Sequence, residues 1–102
     1  MYPVKKVEVI VSTALEQRLL PRLLERIQVA GYSVLRDVTG MGPSGRQEGD
    51  LLVDVQESSY VIIFIEPERL ETLLEAIRPV LERYGGQCVV SDAQAIQPGG
   101  GK

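Results

Sequence analysis

Residues 19–31, LLPRLLERIQVAG, and residues 73–85, LLEAIRPVLERYG, decide the reading of this chain, because a shift of 54 lays one over the other. Leu19, Leu20, Leu23, Ile27 and Gly31 fall on Leu73, Leu74, Ile77, Leu81 and Gly85. Apolar residues three and four apart with charges between them form the stripe of an amphipathic helix, and a glycine after the last periodic residue ends it. Each segment also carries a proline, Pro21 and Pro79. Proline removes a backbone donor and crowds the turn before it. A kink or a late start is therefore expected in the first helix, and an interruption at Pro79 in the second.

Outside these stripes the period changes to two. Val4–Ser12 alternates Val7, Val9 and Val11 with Glu8 and Ile10, a β-branched pattern that predicts a strand. Tyr32, Val34 and Val38 mark a second strand after the first helix, and Tyr60–Ile65, YVIIFI, has the apolar run of a central strand. Glu66-Pro67-Glu68 sets a proline and acids in the first turn of the second helix, and Gln87–Ile96 reads as a fourth strand. Each half is thus β-α-β. Two halves give βαββαβ, an α+β ferredoxin-like domain with a four-stranded antiparallel sheet and both helices on one face. It is expected to span residues 1–96, with 97–102 a flexible glycine-rich tail. Such a sheet leaves its second face bare, and burying it against further copies in a closed, symmetric oligomer is the natural solution.

Composition excludes several classes. A chain of 102 residues supports one core, and 44% apolar with 25% charged residues is ordinary for a folded globular domain. A net charge of −3 offers no general attraction to nucleic acid. The single cysteine, Cys88, rules out an intrachain disulfide, and MYPVKKVEVIVS lacks the apolar core of a secretion signal, so a cytoplasmic location is expected. No apolar run approaches the roughly 18–20 residues of a membrane helix, so direct insertion is not expected. Histidine is absent, which removes the commonest metal ligand and general base. No catalytic residue and no metal site are assigned, and the chain is read as no enzyme. Cys88 is read as a small core residue, Tyr32, Tyr60 and Tyr84 as packing residues at element ends, and Asp50, Asp54 and Glu57 as solvated loop charges.

The long connection between strands two and three, about residues 40–58, carries the functional signal, since loops of this length are uncommon in compact domains unless they serve a function. Gly40, Gly42, Gly45 and Gly49 free backbone N–H groups to approach an anion, and Arg46 offers a fork for phosphate or a small carboxylate-like ion. Leu51–Gln56 can form a rising strand arm. Gly40-Met41-Gly42-Pro43-Ser44-Gly45 spells GxGxxG, but no helix opens there, so a dinucleotide fold is rejected.

Several stretches taken together resemble the PII signalling superfamily: Lys6-Val7-Glu8-Val9-Ile10-Val11 before a helix, Gly31-Tyr32-Ser33-Val34-Leu35-Arg36-Asp37-Val38, Gly40-Met41-Gly42, and Gly45-Arg46-Gln47-Glu48-Gly49. In that superfamily a G-x-G-R-Q-x-G segment opens the T-loop. Here Pro43-Ser44 separates the glycine pair from Gly45-Arg46-Gln47, no lysine precedes the second helix, and the basic phosphate loop is reduced to Tyr84-Gly85-Gly86-Gln87. Fewer cations point to AMP or ADP rather than a triphosphate, and the pattern is similar to the PII-like branch with carboxysome-associated, bicarbonate-responsive members.

The resemblance implies a homotrimer that binds adenine nucleotide through Gly40, Met41, Gly42, Arg46, Gln47, Gly85 and Gly86. It implies bicarbonate at Gly45, Arg46 and Gln47, and regulation of inorganic-carbon uptake through T-loop contact with a transporter or a carbon-metabolism protein. The alternative is a ligand-free ferredoxin-like interaction or assembly module.

Overall fold

The computed structural model describes residues 1–29, 31–38 and 57–96. Strand β1 spans Tyr2–Ser12, helices α1 and α2 span Thr13–Arg18 and Leu20–Arg26, and β2 spans Tyr32–Val38. Strand β3 spans Ser58–Ile65, a 3-10 turn covers Pro67–Arg69, helix α3 spans Leu70–Tyr84, and β4 spans Gln87–Ala95. The sheet order is β2-β3-β1-β4 with every neighbour antiparallel. This is the ferredoxin-like plan expected from the repeat, with β1 and β3, one from each half, at the centre.

The β1–β3 register sets Val7 opposite Ile63 and Val9 opposite Val61, so residues of one parity share one face. Val7, Val9, Val11, Val61, Ile63 and Ile65 pack there against Leu20, Leu23 and Leu24 of α2 and Leu73, Ile77 and Val80 of α3. Both helical segments cover this face, and each buried aliphatic side chain contributes roughly 1.5–3 kcal/mol.

The strands keep the shift of 54, with Val7, Val9 and Val11 over Val61, Ile63 and Ile65, but the buried helix positions align at 53, with Leu20 over Leu73 and Leu24 over Ile77. The first helix is interrupted at Leu19. Pro21 sits in the first turn of α2, where its missing donor has no partner to lose. The kink expected there is found.

Two other expectations are corrected. Helix α3 runs unbroken through Pro79, which lies on the exposed side, so the carbonyl it deprives of a bond faces water. The first helical segment ends at Arg26, before Gly31. There the left-handed residue is Gln28, φ 61°, whose N–H donates to the Glu25 carbonyl at 3.0 Å while that of Val29 donates to Leu24 at 3.0 Å. Among the described residues no helix is long and apolar enough to cross a membrane, and no group of three His, Cys, Asp or Glu is placed to hold a metal.

Candidate functional site

Helix α3 ends at the Gly85-Gly86 turn, where both glycines have positive φ, 88° and 123°. The Gly85 N–H donates to the Leu81 carbonyl at 2.8 Å. A Cβ on Gly86 would lie 2.7 Å from the Ile10 carbonyl oxygen and 2.8 Å from Val11 Cγ1, so conformation and space both demand glycine. The turn is therefore pressed against the end of β1, where the chain passes through Ser12 into α1. Ser12 Oγ accepts the Leu15 N–H at 3.2 Å and caps that helix.

Beside the turn lies an open cavity of about 460 Å³ lined by Ser12, Ala14, Leu15, Arg18, Leu19 and Tyr84. Its volume falls in the lower range of small-molecule sites. Three aliphatic side chains, an aromatic ring, a hydroxyl and a guanidinium suit a ligand with an apolar body and an anionic group. Among the described residues Arg18 makes no ion pair. Tyr84 is exposed rather than packed, with the Arg83 guanidinium 5.5 Å from its ring centroid.

The second polar cluster closes the root of the long connection. Glu16 of α1 is buried, and its carboxylate accepts from Arg36 Nε at 2.9 Å and Arg36 Nη2 at 3.0 Å, a bidentate fork. Ser59 Oγ donates to the same carboxylate at 3.0 Å. The Thr13 and Ser59 hydroxyl oxygens are 3.0 Å apart, and with the Ser59 proton on Glu16, Thr13 is the donor. The Thr13 N–H donates to the Glu57 carbonyl at 3.0 Å. Arg36 lies near the end of β2 and Ser59 near the start of β3, so α1 grips both strand ends. The β2–β3 register shifts between Arg36 and Val38, with Asp37 at φ 59°. The Arg36 bonds hold the Glu16 carboxyl below its ordinary range against the opposing effect of burial, and Ser59 adds to them. Arg36 is raised in turn by Glu16.

The uncovered sheet face is apolar with a polar centre. Leu35, Phe64 and Val89 are exposed there, Phe64 by 55%. Tyr60 donates to the Glu8 carboxylate, which raises the phenol, and Lys6 Nζ lies 3.8 Å from Glu8. Tyr60 thus has a hydrogen-bonding role beyond the packing expected of it.

Of the residues assigned from sequence, Gly85 and Gly86 are found together at the turn. Gly40, Met41, Gly42, Gly45, Arg46 and Gln47 lie outside the described residues, as do Asp50, Asp54, the arm at Leu51–Gln56 and the tail at 97–102. Cys88 is half-buried against the core, and burial pushes its thiol up, which fits the packing role. Glu16, Arg36 and Ser59 were missed. Their signal was parity: Arg36 and Ser59 share the core-facing parity of Val34 and Val61, and Glu16 precedes buried Leu20 by one helical turn.

The family model described as Nitrogen regulatory protein P-II matches residues 4–100. CPII, a nitrogen regulatory PII-like protein from Thiomonas intermedia bound to ADP, AMP and bicarbonate, is 29% identical with a TM-score of 0.77, covering 95% of this chain and 97% of that one. The same protein bound to ADP and bicarbonate aligns at 32% identity and TM-score 0.74, covering 92% and 89%. The Bacillus subtilis GlnK–ATP complex, at 20% identity, TM-score 0.66 and coverage of 90% and 84%, shares the fold. A search of curated proteins finds no match. With nearly its whole length matched by the family model and its α+β fold shared by these structures, the chain belongs to the P-II family.

Proposed function

We propose that this chain is a PII-like signalling protein that binds ADP or AMP together with bicarbonate and acts without catalysis in the cytoplasm. The observation that carries the reading is the likeness to CPII bound to ADP, AMP and bicarbonate over 95% of this chain. The glycine turn at Gly85-Gly86 and the adjoining cavity supply a local surface consistent with a nucleotide's phosphate end. The remaining contacts fall to Gly40, Met41, Gly42, Arg46 and Gln47, with bicarbonate at Gly45, Arg46 and Gln47, the residues of the loop motif.

Assembly completes the reading. The open sheet face, with Leu35, Phe64 and Val89 exposed, supports a homotrimer in which the face is buried and nucleotide sits between subunits. The loop then reports occupancy to a transporter or a carbon-metabolism protein and so regulates inorganic-carbon uptake. Calorimetry on the folded protein tests it: ADP and AMP give saturable binding, and bicarbonate tightens ADP binding by the factor with which ADP tightens bicarbonate. Folded protein that takes up no adenine nucleotide would refute the proposal.

A further inference from the structure

Helix α1 has two sides with different tasks. Ala14, Leu15 and Arg18 line the cavity beside the glycine turn, while Thr13 and Glu16 hold the ends of β2 and β3. The chain between those ends, residues 39–56, begins after Val38, two residues beyond Arg36, and leads into Glu57, two residues before Ser59. One short helix therefore stands between a candidate ligand cavity and both departure points. We propose that Glu16 is the coupling residue of this protein: its bonds to Arg36 and Ser59 tie the roots of the long connection to the helix that walls the cavity.

Three features favour a coupling role over simple packing. Glu16 is a buried carboxylate beside an aliphatic core, with Ser59 buried next to it, and a leucine there would pack without the expense of desolvation. Its bonds span the sequence, 20 residues to Arg36 and 43 to Ser59, so they fix relative positions of separate elements rather than one helix. The fork to Arg36 is directional, so a small rotation of α1 breaks one arm of it, whereas an aliphatic contact would slide. The neighbouring Thr13 N–H to Glu57 carbonyl bond is part of the same clasp and gives it a reporter amide.

The inference deepens the nucleotide reading and rests on it only for its second measurement. The test uses the full chain, with hydrogen exchange at the Thr13 amide and calorimetry with ADP. In ligand-free protein Glu16→Gln is expected to speed Thr13 exchange at least tenfold while leaving the central Val7 amide unchanged, as for a local opening. With ADP, the wild type slows Thr13 exchange, and Glu16→Gln binds ADP about tenfold more weakly, within the range of coupling effects of single residues. Should Glu16→Gln fail to fold, the double change Glu16→Gln with Arg36→Gln leaves no unpaired charge and is read in the same way.

Unaltered Thr13 exchange in the ligand-free variant would overturn the proposal. So would ADP binding that neither slows Thr13 exchange in the wild type nor weakens in the variant, since Glu16 would then be structural only. Wild-type protein that ignores ADP would refute the nucleotide reading instead, and the ligand-free exchange would still decide for or against the clasp.

Discussion

The two faces of the sheet use the same strands in opposite ways. On the helix side, Val7, Val9, Val61 and Ile63 are sealed, and the polar groups admitted there, Glu16 and Ser59, meet their partners within the chain. On the other side Leu35, Phe64 and Val89 stay in water around a Tyr60–Glu8–Lys6 group. In β1 the alternation separates the faces, Lys6 and Glu8 against Val7 and Val9, but β3 is apolar on both, Ile62 and Phe64 against Val61 and Ile63, so its hydrophobicity alone does not distinguish a finished surface from an unfinished one. The difference is that one face seals its paired polar groups inside a core, whereas the other leaves apolar side chains exposed around a paired polar group.

The contrast can be broken hardest on the sealed side. Leu73 is fully buried, and Leu73→Ala is expected to cost about 3 kcal/mol, the middle of the range for such cavities, read as a lower urea midpoint. Next comes the buried carboxylate. Glu16→Gln is expected to cost about 1–2 kcal/mol at neutral pH, as for lost bonds to a charged group. Because the folded carboxyl titrates below its unfolded value, its stabilisation is complete above the unfolded pKa of about 4.3 and is lost as pH falls through the folded one. The gap between wild type and Glu16→Gln in urea unfolding should therefore narrow from pH 6 to pH 3; a constant gap would mean the charge is not the source.

The smallest effect on the chain's own stability is expected on the open side. Phe64 is 55% exposed and faces Lys6 across the strands, so Phe64→Glu should change the isolated fold by no more than about 0.5 kcal/mol. Its effect belongs to assembly: in light scattering the wild type should exceed the 11.2 kDa of one chain and the variant should fall to it. If both scatter as single chains, the open face is not an interface between copies.

Much of the fold was legible because it is written in periods. The stripes at Leu20–Ile27 and Leu73–Leu81 and the alternation of Val7, Val9 and Val11 need only side-chain geometry to be read. The errors came where backbone context decides. Pro79 is tolerated since its side of α3 faces water, and Gln28 ends the first helical segment with local bonds that a glycine rule does not foresee. The turn beside the candidate site was legible at Gly85 and Gly86, whose doublet follows a helical stripe. The Glu16 cluster was not, because Arg36 and Ser59 lie 20 and 43 residues from Glu16 and parity marks a facing, not a partner. Only the sheet register brings Arg36 opposite Ser59 and both over α1.

The sheet order has a consequence for the unassembled chain. Strands β2 and β4 are its edges, and each presents a row of backbone donors and acceptors without a neighbour in the sheet. Edge β4 begins Gln87-Cys88-Val89-Val90, with both valines exposed, and ends in Ser91, Asp92 and Gln94. A freshly made chain thus carries a template for aggregation along one half of an edge and a charged, polar guard along the other. Lys5 draws in part of that guard by pairing with Asp92 at 2.5 Å. The polar half of β4 thus works against edge-to-edge pairing of single chains, a constraint on its sequence independent of any ligand.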